Sequence, residues 1–248
     1  MQWSVMEYRE HIPETRVGRW IECAWSLGTA AAVDAYAVRP DGCIDIVYAR
    51  ESGARVVGAM TAERRFPLAA GARTFGVRFH PGMAGAFLGA SPGEFTGRTV
   101  ALEDVWGSRA RQLERRLGDA GSPDECLDIL RDSLGAPARE PDGVQRAIGA
   151  MTAAHGNLDV DWAARHAGLS ARQFRRRSVE ESGLAPKHLC RVLRFRRACE
   201  LAARGTGWAS VAGEAGYYDQ AHLIRDFREF TGATPMAVFS KTRTAPMG

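Results

Sequence analysis

The rhythm of apolar and polar positions changes part-way along the chain. In the first hundred residues, short runs rich in β-branched and aromatic side chains sit between breakers. Cys43–Tyr48 and Thr74–Phe79 predict strands, and Val17–Leu27 is a third, with Val17, Trp20, Ile21, Cys23 and Trp25 alternating only in part. Arg39-Pro40-Asp41-Gly42 and His80-Pro81-Gly82 supply turn chemistry at their ends. Met83–Leu88 predicts one short helix packed on these strands. From Leu102 the apolar spacing becomes three and four. It predicts helices over Ala110–Leu117 and Pro123–Leu134, with Leu113, Leu117, Leu127, Leu130 and Leu134 in one stripe beside Cys126. Gly135–Gly143, with two prolines, two glycines and no large apolar residue, reads as a linker.

The C-terminal third repeats itself at about 49 residues. Ala163–Leu169 matches Val211–Tyr217. Phe174 corresponds to Leu223 after one extra turn residue, Tyr218; Arg176 falls on Arg225, Gly183 on Gly232 and Pro186 on Pro235. Each copy predicts a short helix, a glycine turn and a second helix with a polar N-cap, Ser170 or Asp219, that stops at glycine three residues before proline. That is the layout of a helix-turn-helix. Glycine at the turn tolerates the left-handed backbone that a sharp exit requires, and Ala167 and Ala215 let the helices cross closely. Leu223, Phe227 and Phe230 form the seating face of the second copy. Between the copies, Pro186–Ala203 predicts one helix roughly 27 Å long at 1.5 Å per residue. Two reading helices near its ends would reach successive major grooves, about 34 Å apart.

Composition narrows the class. The chain has 248 residues, 45% hydrophobic and 25% charged, as soluble globular proteins do. No run reaches the ~18 apolar residues of a membrane span, and Met1-Gln2-Trp3-Ser4 begins no secretion signal. Five scattered cysteines without a C-x-x-C pattern predict reduced thiols in a cytoplasm, with no disulfide scaffold, structural metal or cofactor. Net charge is segregated: residues 1–150 hold 18 basic and 20 acidic side chains, and residues 151–248 hold 15 and 9. A basic half suggests a polyanion partner, although a solvated helix face explains the charge alone equally well. Arginines outnumber lysines 31 to 2, a bias we attribute to genome composition.

Residues 150–240 resemble the DNA-binding domain of the AraC/XylS family of bacterial transcription regulators. The resemblance is carried by Ala215-Gly216-Tyr217-Tyr218-Asp219-Gln220-Ala221-His222-Leu223-Ile224-Arg225-Asp226-Phe227-Arg228, by Gly232-Ala233-Thr234-Pro235, and by Ala167-Gly168-Leu169-Ser170-Ala171-Arg172-Gln173-Phe174-Arg175-Arg176. It implies base-reading positions at Arg172, Arg175 and Arg176 in the first copy and at Gln220, Ala221, Ile224 and Arg225 in the second. Arginine can grip guanine O6 and N7, glutamine can grip adenine, and Ile224 suits a thymine methyl. Some of these arginines would alternatively meet only phosphates. Ser170, Arg177, Arg194, Arg196, Arg197 and His222 are expected on phosphates or at plain surface. Ser178 departs from the pattern, because it stands where the second copy has Phe227. Losing a buried aromatic costs ~3–5 kcal/mol unless the site repacks, so either Val179 takes over the contact or the first unit is the looser one.

The first hundred residues more weakly resemble a β-rich domain that precedes such DNA-binding domains in some regulators, through Arg39-Pro40-Asp41-Gly42-Cys43-Ile44-Asp45 and Gly76-Val77-Arg78-Phe79-His80-Pro81-Gly82. The resemblance implies small-molecule sensing or dimerisation. Trp25, Asp45, Tyr48, Arg78 and Phe79 are pocket candidates, although aromatic strand residues are more often core, and His80 reads as a turn residue. No catalytic motif is found. Cys43 between Asp41 and Asp45 reads as a small buried hydrophobe, with a thiol-modification sensor, whose helix-turn-helix part mediates protein contacts, as the rival. The stripe over 108–134 suits domain packing or a dimer contact.

The expectation is therefore an α+β chain: a β-rich barrel- or sandwich-like domain with short helices over 1–107, a helical segment and linker over 108–143, and an all-α domain of two helix-turn-helix units joined by a long helix over 144–248. The expected partners are double-stranded promoter or operator DNA, a small-molecule effector, RNA polymerase and a second copy of the chain, with no membrane and no catalysis.

Overall fold

A computed structural model describes residues 6–12 and 16–241. Met1-Gln2-Trp3-Ser4 lies outside the described residues, as does the side chain of Val17. Eight strands come first: β1 (Met6–His11), β2 (Ile21–Thr29), β3 (Val33–Val38), β4 (Ile44–Ala49), β5 (Gly53–Val57), β6 (Arg64–Leu68), β7 (Arg73–Phe79) and β8 (Thr99–Ala101). Six form an antiparallel sheet in the order β1-β2-β7-β4-β5-β8, and β3 and β6 pair as a separate ribbon. The expected strand over Val17–Leu27 starts later, at Ile21, after a 3-10 turn over Arg16–Arg19; its imperfect alternation is a register shift between Ile21 and Cys23.

Strand alternation gives the sheet two unlike faces. Cys23, Trp25 and Leu27 point to one side, where they cluster with Met6, Tyr8, Val47 and the ribbon residues Tyr36 and Leu68. Ala24, Ile46, Tyr48, Val56, Phe75, Val77 and Phe79 point to the other, which is roofed by helices. These are α1 (Gly85–Leu88), α2 (Leu102–Trp106), α3 (Ser108–Asp119) and α4 (Pro123–Leu134). Leu113, Leu117, Leu127, Leu130 and Leu134 are all buried here. The apolar stripe of residues 108–134 packs within the chain, against the sheet.

The linker is also less free than its composition implied. The Ala138 N–H donates to the Ala86 carbonyl, Arg19 pairs with Glu140, and Arg139 pairs with Glu181. Beyond it lie α5 (Gly143–Ala153), α6 (Val160–His166), α7 (Ala171–Ser182), α8 (Pro186–Ala203), α9 (Trp208–Glu214), α10 (Gln220–Thr231) and α11 (Pro235–Lys241). The repeat folds as its signals predict. Ser170 caps α7 in a reciprocal box with Gln173, Asp219 caps α10 through the His222 N–H, and both helices end on left-handed glycines, Gly183 and Gly232. Pro186 and Pro235 open the helices that follow.

One hydrophobic cluster runs from Trp20 to Val238, through both parts of the chain. Its tightest seam is a 3-10 turn over Pro92–Phe95 that lies on the back of α7. A Cβ at Gly93 would stand 2.8 Å from the Val179 carbonyl oxygen, and one at Gly183, already at φ +78°, would meet Thr96 Oγ1 at 2.8 Å. Only glycine permits this approach. Ser178 is fully buried, its hydroxyl donating to the Leu184 carbonyl, while the Ser182 hydroxyl donates to the Ser178 carbonyl. The place of the missing aromatic is therefore closed by polar bonds within the unit and by the turn from outside. This revises the expectation of a looser first unit, since the brace comes from the other domain. Gly93→Val should overpack this seam, costing about 1–3 kcal/mol and lowering the melting temperature by ~2–4 °C for each kcal/mol in a chain of this size. An unchanged melting temperature would mean that the turn does not press on α7.

Candidate nucleic-acid interface

On α7, three-and-four spacing sorts side chains by face. Phe174, Ser178, Glu181 and Ser182 are buried, and Arg172, Arg175 and Arg176 are exposed together on the outer side. Arg176 keeps one partner, Glu180, at 3.2 Å. On α10, Leu223, Phe227 and Phe230 are buried with Asp226, and Gln220, Ala221 and Arg225 are exposed. Ile224 is half-buried against the core cluster, so only part of its side chain faces outward. Arg191 on α8 fixes α10 from behind, donating to Asp226 at 2.7 Å and to Glu229 at 2.9 Å.

The residues expected on phosphates fare differently. Arg177 is held by Asp142 at 2.8 Å, Glu181 at 3.1 Å and Glu180 at 3.4 Å. Burial alone would weaken its proton affinity, yet the bonds and charges of Glu181 and Asp142 raise it. Arg194 donates to the Gly156 carbonyl, and Arg197 pairs with Glu200. Arg196 points into the N-terminal sheet, where it pairs with both oxygens of Glu22 and lies 3.6 Å from the Cys43 sulfur. All four are engaged by carboxylates or a carbonyl of the chain itself. The Ser170 hydroxyl is used by the capping box, and the His222 ring packs edge-on against Tyr217.

Electrostatics make the Arg196–Glu22 tie durable. Burial would raise the Glu22 carboxyl, but bonds from His80 and Arg196 and the charges of Arg196 and Arg78 hold it well below its ordinary 4.5. The stability it contributes is present above pH 4.5 and is lost only as the pH falls towards that depressed value. The Cys43 thiol, within 3.3 Å of Glu22, is pushed well above its ordinary range by burial and by Asp41 and Glu22. A buried, protonated sulfur is a poor nucleophile, which counts against the thiol-sensor rival.

The five pocket candidates do not converge. Trp25 donates to Asp45 at 2.7 Å, and Arg78 lies 3.3 Å from Asp45 and 3.5 Å from Asp41, all on the ribbon side of the sheet. Burial, offset by Arg78, pushes the Asp45 carboxyl up to about 6. Tyr48 and Phe79 belong to the opposite face and are core. Arg78 does line a cavity of about 420 Å³ between the ribbon side of the sheet and helices α8 and α11, together with Tyr36, Asp41, Phe195 and Arg196. Tyr36 and the α11 wall carry no signal along the sequence, because only docking of the two domains brings them together. Among the described residues no helix is long and apolar enough to cross a membrane, and no group of His, Cys, Asp and Glu is arranged to hold a metal ion.

Residues 163–241, which hold both glycine-turned helix pairs and the rod between them, match a family described as a helix-turn-helix domain. These residues therefore form a helix-turn-helix domain. The chain also matches, over residues 9–101, a family described as a domain of unknown function, DUF6597. Among solved structures, the DNA-binding domain of AdpA in complex with a target DNA aligns at 27% identity and a TM-score of 0.39, over 42% of this chain and 95% of that one. ToxT from Vibrio cholerae aligns at 11% identity and 0.41, over 95% of this chain and 96% of its own. Unsaturated fatty acid bound ToxT aligns at 9% and 0.42, over 85% and 95%. No curated protein sequence matches the chain.

Arg196→Ala should leave the Glu22 carboxylate without its main partner, destabilising the protein by about 1–3 kcal/mol. The slope of log affinity for DNA against log salt should stay unchanged. A slope flattened by about one unit would return Arg196 to the phosphate-contact role.

Proposed function

We propose that this chain is an AraC-type DNA-binding regulator that acts as a cytoplasmic, sequence-specific transcription factor on double-stranded promoter or operator DNA. In this reading α7 and α10 enter successive major-groove segments. Arg172, Arg175 and Arg176 read guanine edges or nearby phosphates, Gln220 and Arg225 do the same from the second unit, and the exposed edges of Ala221 and Ile224 suit a thymine methyl. The single observation behind it is the outer face of α7: three exposed arginines on a capped helix whose opposite face is fully buried. Fixed geometry on a rigid helix turns flexible cations into a reading surface.

The N-terminal domain would adjust DNA affinity or contact with RNA polymerase, in response to a small molecule or through self-association. The cavity beside Arg78 suits the first route, because its volume is that of a small-molecule site. Its walls come from both domains, so an occupant would touch the sheet and α8 together. Such a ligand shifts DNA binding only if it prefers one arrangement of the two domains. The function is binding rather than catalysis.

Arg176→Ala should weaken the cognate site by ~1–3 kcal/mol and relax base choice at one position. Sites selected from random duplexes by wild-type and variant protein, compared by sequencing and titration, provide the test. Equal weakening on every sequence would make Arg176 a phosphate contact. Binding that ignores salt would favour a protein-contact role for the domain.

A further inference from the structure

The two reading units carry unlike charge. Residues 160–182 contain five arginines and three acids, and residues 208–231 contain two arginines and four acids. Exposure preserves the difference: Asp161 is the exposed acid of the first unit, whereas Glu214, Asp219 and Glu229 are exposed in the second and Asp226 is buried. In the first unit, Glu181 is buried and Glu180 is half-buried, leaving Arg165, Arg172, Arg175 and Arg176 exposed. At the repeat positions of Arg165 and His166 the second unit has Gly213 and Glu214, both exposed. Affinity for a polyanion scales with the phosphates neutralised. The first unit therefore offers more exposed cations to a polyanion than the second.

The same unit is the one that cannot complete its own interior. The second unit seats α10 on a ring cluster: Phe227 packs against Phe195 at 4.8 Å and Trp208 at 5.7 Å, and Phe230 against Phe195 at 5.1 Å. The first unit has Ser178 at the position of Phe227. Its missing support comes from the Pro92–Phe95 turn. The last turn of a helix leaves carbonyls unpaired; here the Ser91 hydroxyl donates to the Glu180 carbonyl at 2.9 Å and the Thr96 hydroxyl to the Gly183 carbonyl at 2.7 Å. Glu181 adds a second tie, accepting from Arg139 of the linker and Gln145 of α5. On α10 the N-terminal domain contributes one such bond, from the Glu63 N–H to the Phe230 carbonyl.

We propose that the first helix-turn-helix unit is the electrostatic anchor on DNA, and that the N-terminal domain holds it in its reading pose by capping the C-terminal end of α7. This rests on the DNA-reading function proposed above and adds where that function is controlled. Whatever moves the Pro92–Phe95 turn moves the helix that carries most of the affinity.

The test uses the full chain and duplex DNA at several salt concentrations. Replacing Arg165, Arg172 and Arg175 together with alanine should flatten the salt slope by about two units or more, and replacing Arg225 and Arg228 by less than one, at ~0.9 per phosphate contact. Ser91→Ala with Thr96→Val should weaken DNA at least tenfold and speed amide exchange across 171–182, leaving 219–231 unchanged. A second-unit pair that flattens the slope as much as the first-unit triple overturns the anchor. A folded Ser91/Thr96 variant that binds as wild type overturns the grip. Wild-type protein showing no salt-dependent binding would instead remove the DNA-reading function itself, and the inference with it.

Discussion

The architecture turns on how the end of one helix finds its partners. The last turn of α7 presents buried carbonyls, and with Ser178 at the position of Phe227 the helix beyond Phe174 has no aromatic to press it onto its own unit. The Pro92–Phe95 turn supplies hydroxyl donors and a glycine-permitted close approach. That contact commits the helix-turn-helix part of the chain to the sheet domain. Gln145 bonding to both the Gly82 carbonyl and Glu181, the pinned linker and the Arg196–Glu22 tie follow the same seam. Domains of one chain usually move against each other unless their interface is large and apolar. Here a single hydrophobic cluster crosses it, so the reading helices are set by the sheet domain rather than tethered to it.

Charge is distributed in the same way. The basic helical half suggests a polyanion partner, and a solvated helix face explains its charge equally well; many of its arginines are held within the molecule. Arg177, Arg191, Arg196 and Arg197 each meet carboxylates inside the molecule. What remains outward is the set on α6, α7 and α10, with Lys187 on α8 and Arg204 at its end. Partner availability, rather than residue type, decides which cation faces solvent.

That distinction explains what was legible in the sequence. The repeat, its caps, the glycine stops and the helix Pro186–Ala203 rest on contacts between residues a few positions apart, and all of them appear as expected. The fate of Arg196 depends on Glu22, 174 residues away, and no local pattern encodes that distance. Strands β1, β3 and β6 carry charges, a proline or half-exposed positions, so their alternation is weak. Ser178 was visible as an anomaly, but its remedy lay in another domain. Tyr48 and Phe79 lie on the opposite face of the sheet from Trp25, Asp45 and Arg78, and only the strand register reveals that.

Native-state hydrogen exchange under rising denaturant reads the shared core most directly. If the sheet domain and the reading domain are one packed body, slowly exchanging amides in β7, such as Val77 and Phe79, and in α8, such as Phe195, should converge on a single opening free energy. Amides of α5–α11 that open together at lower denaturant, with the sheet still protected, would show two separable domains and contradict the account.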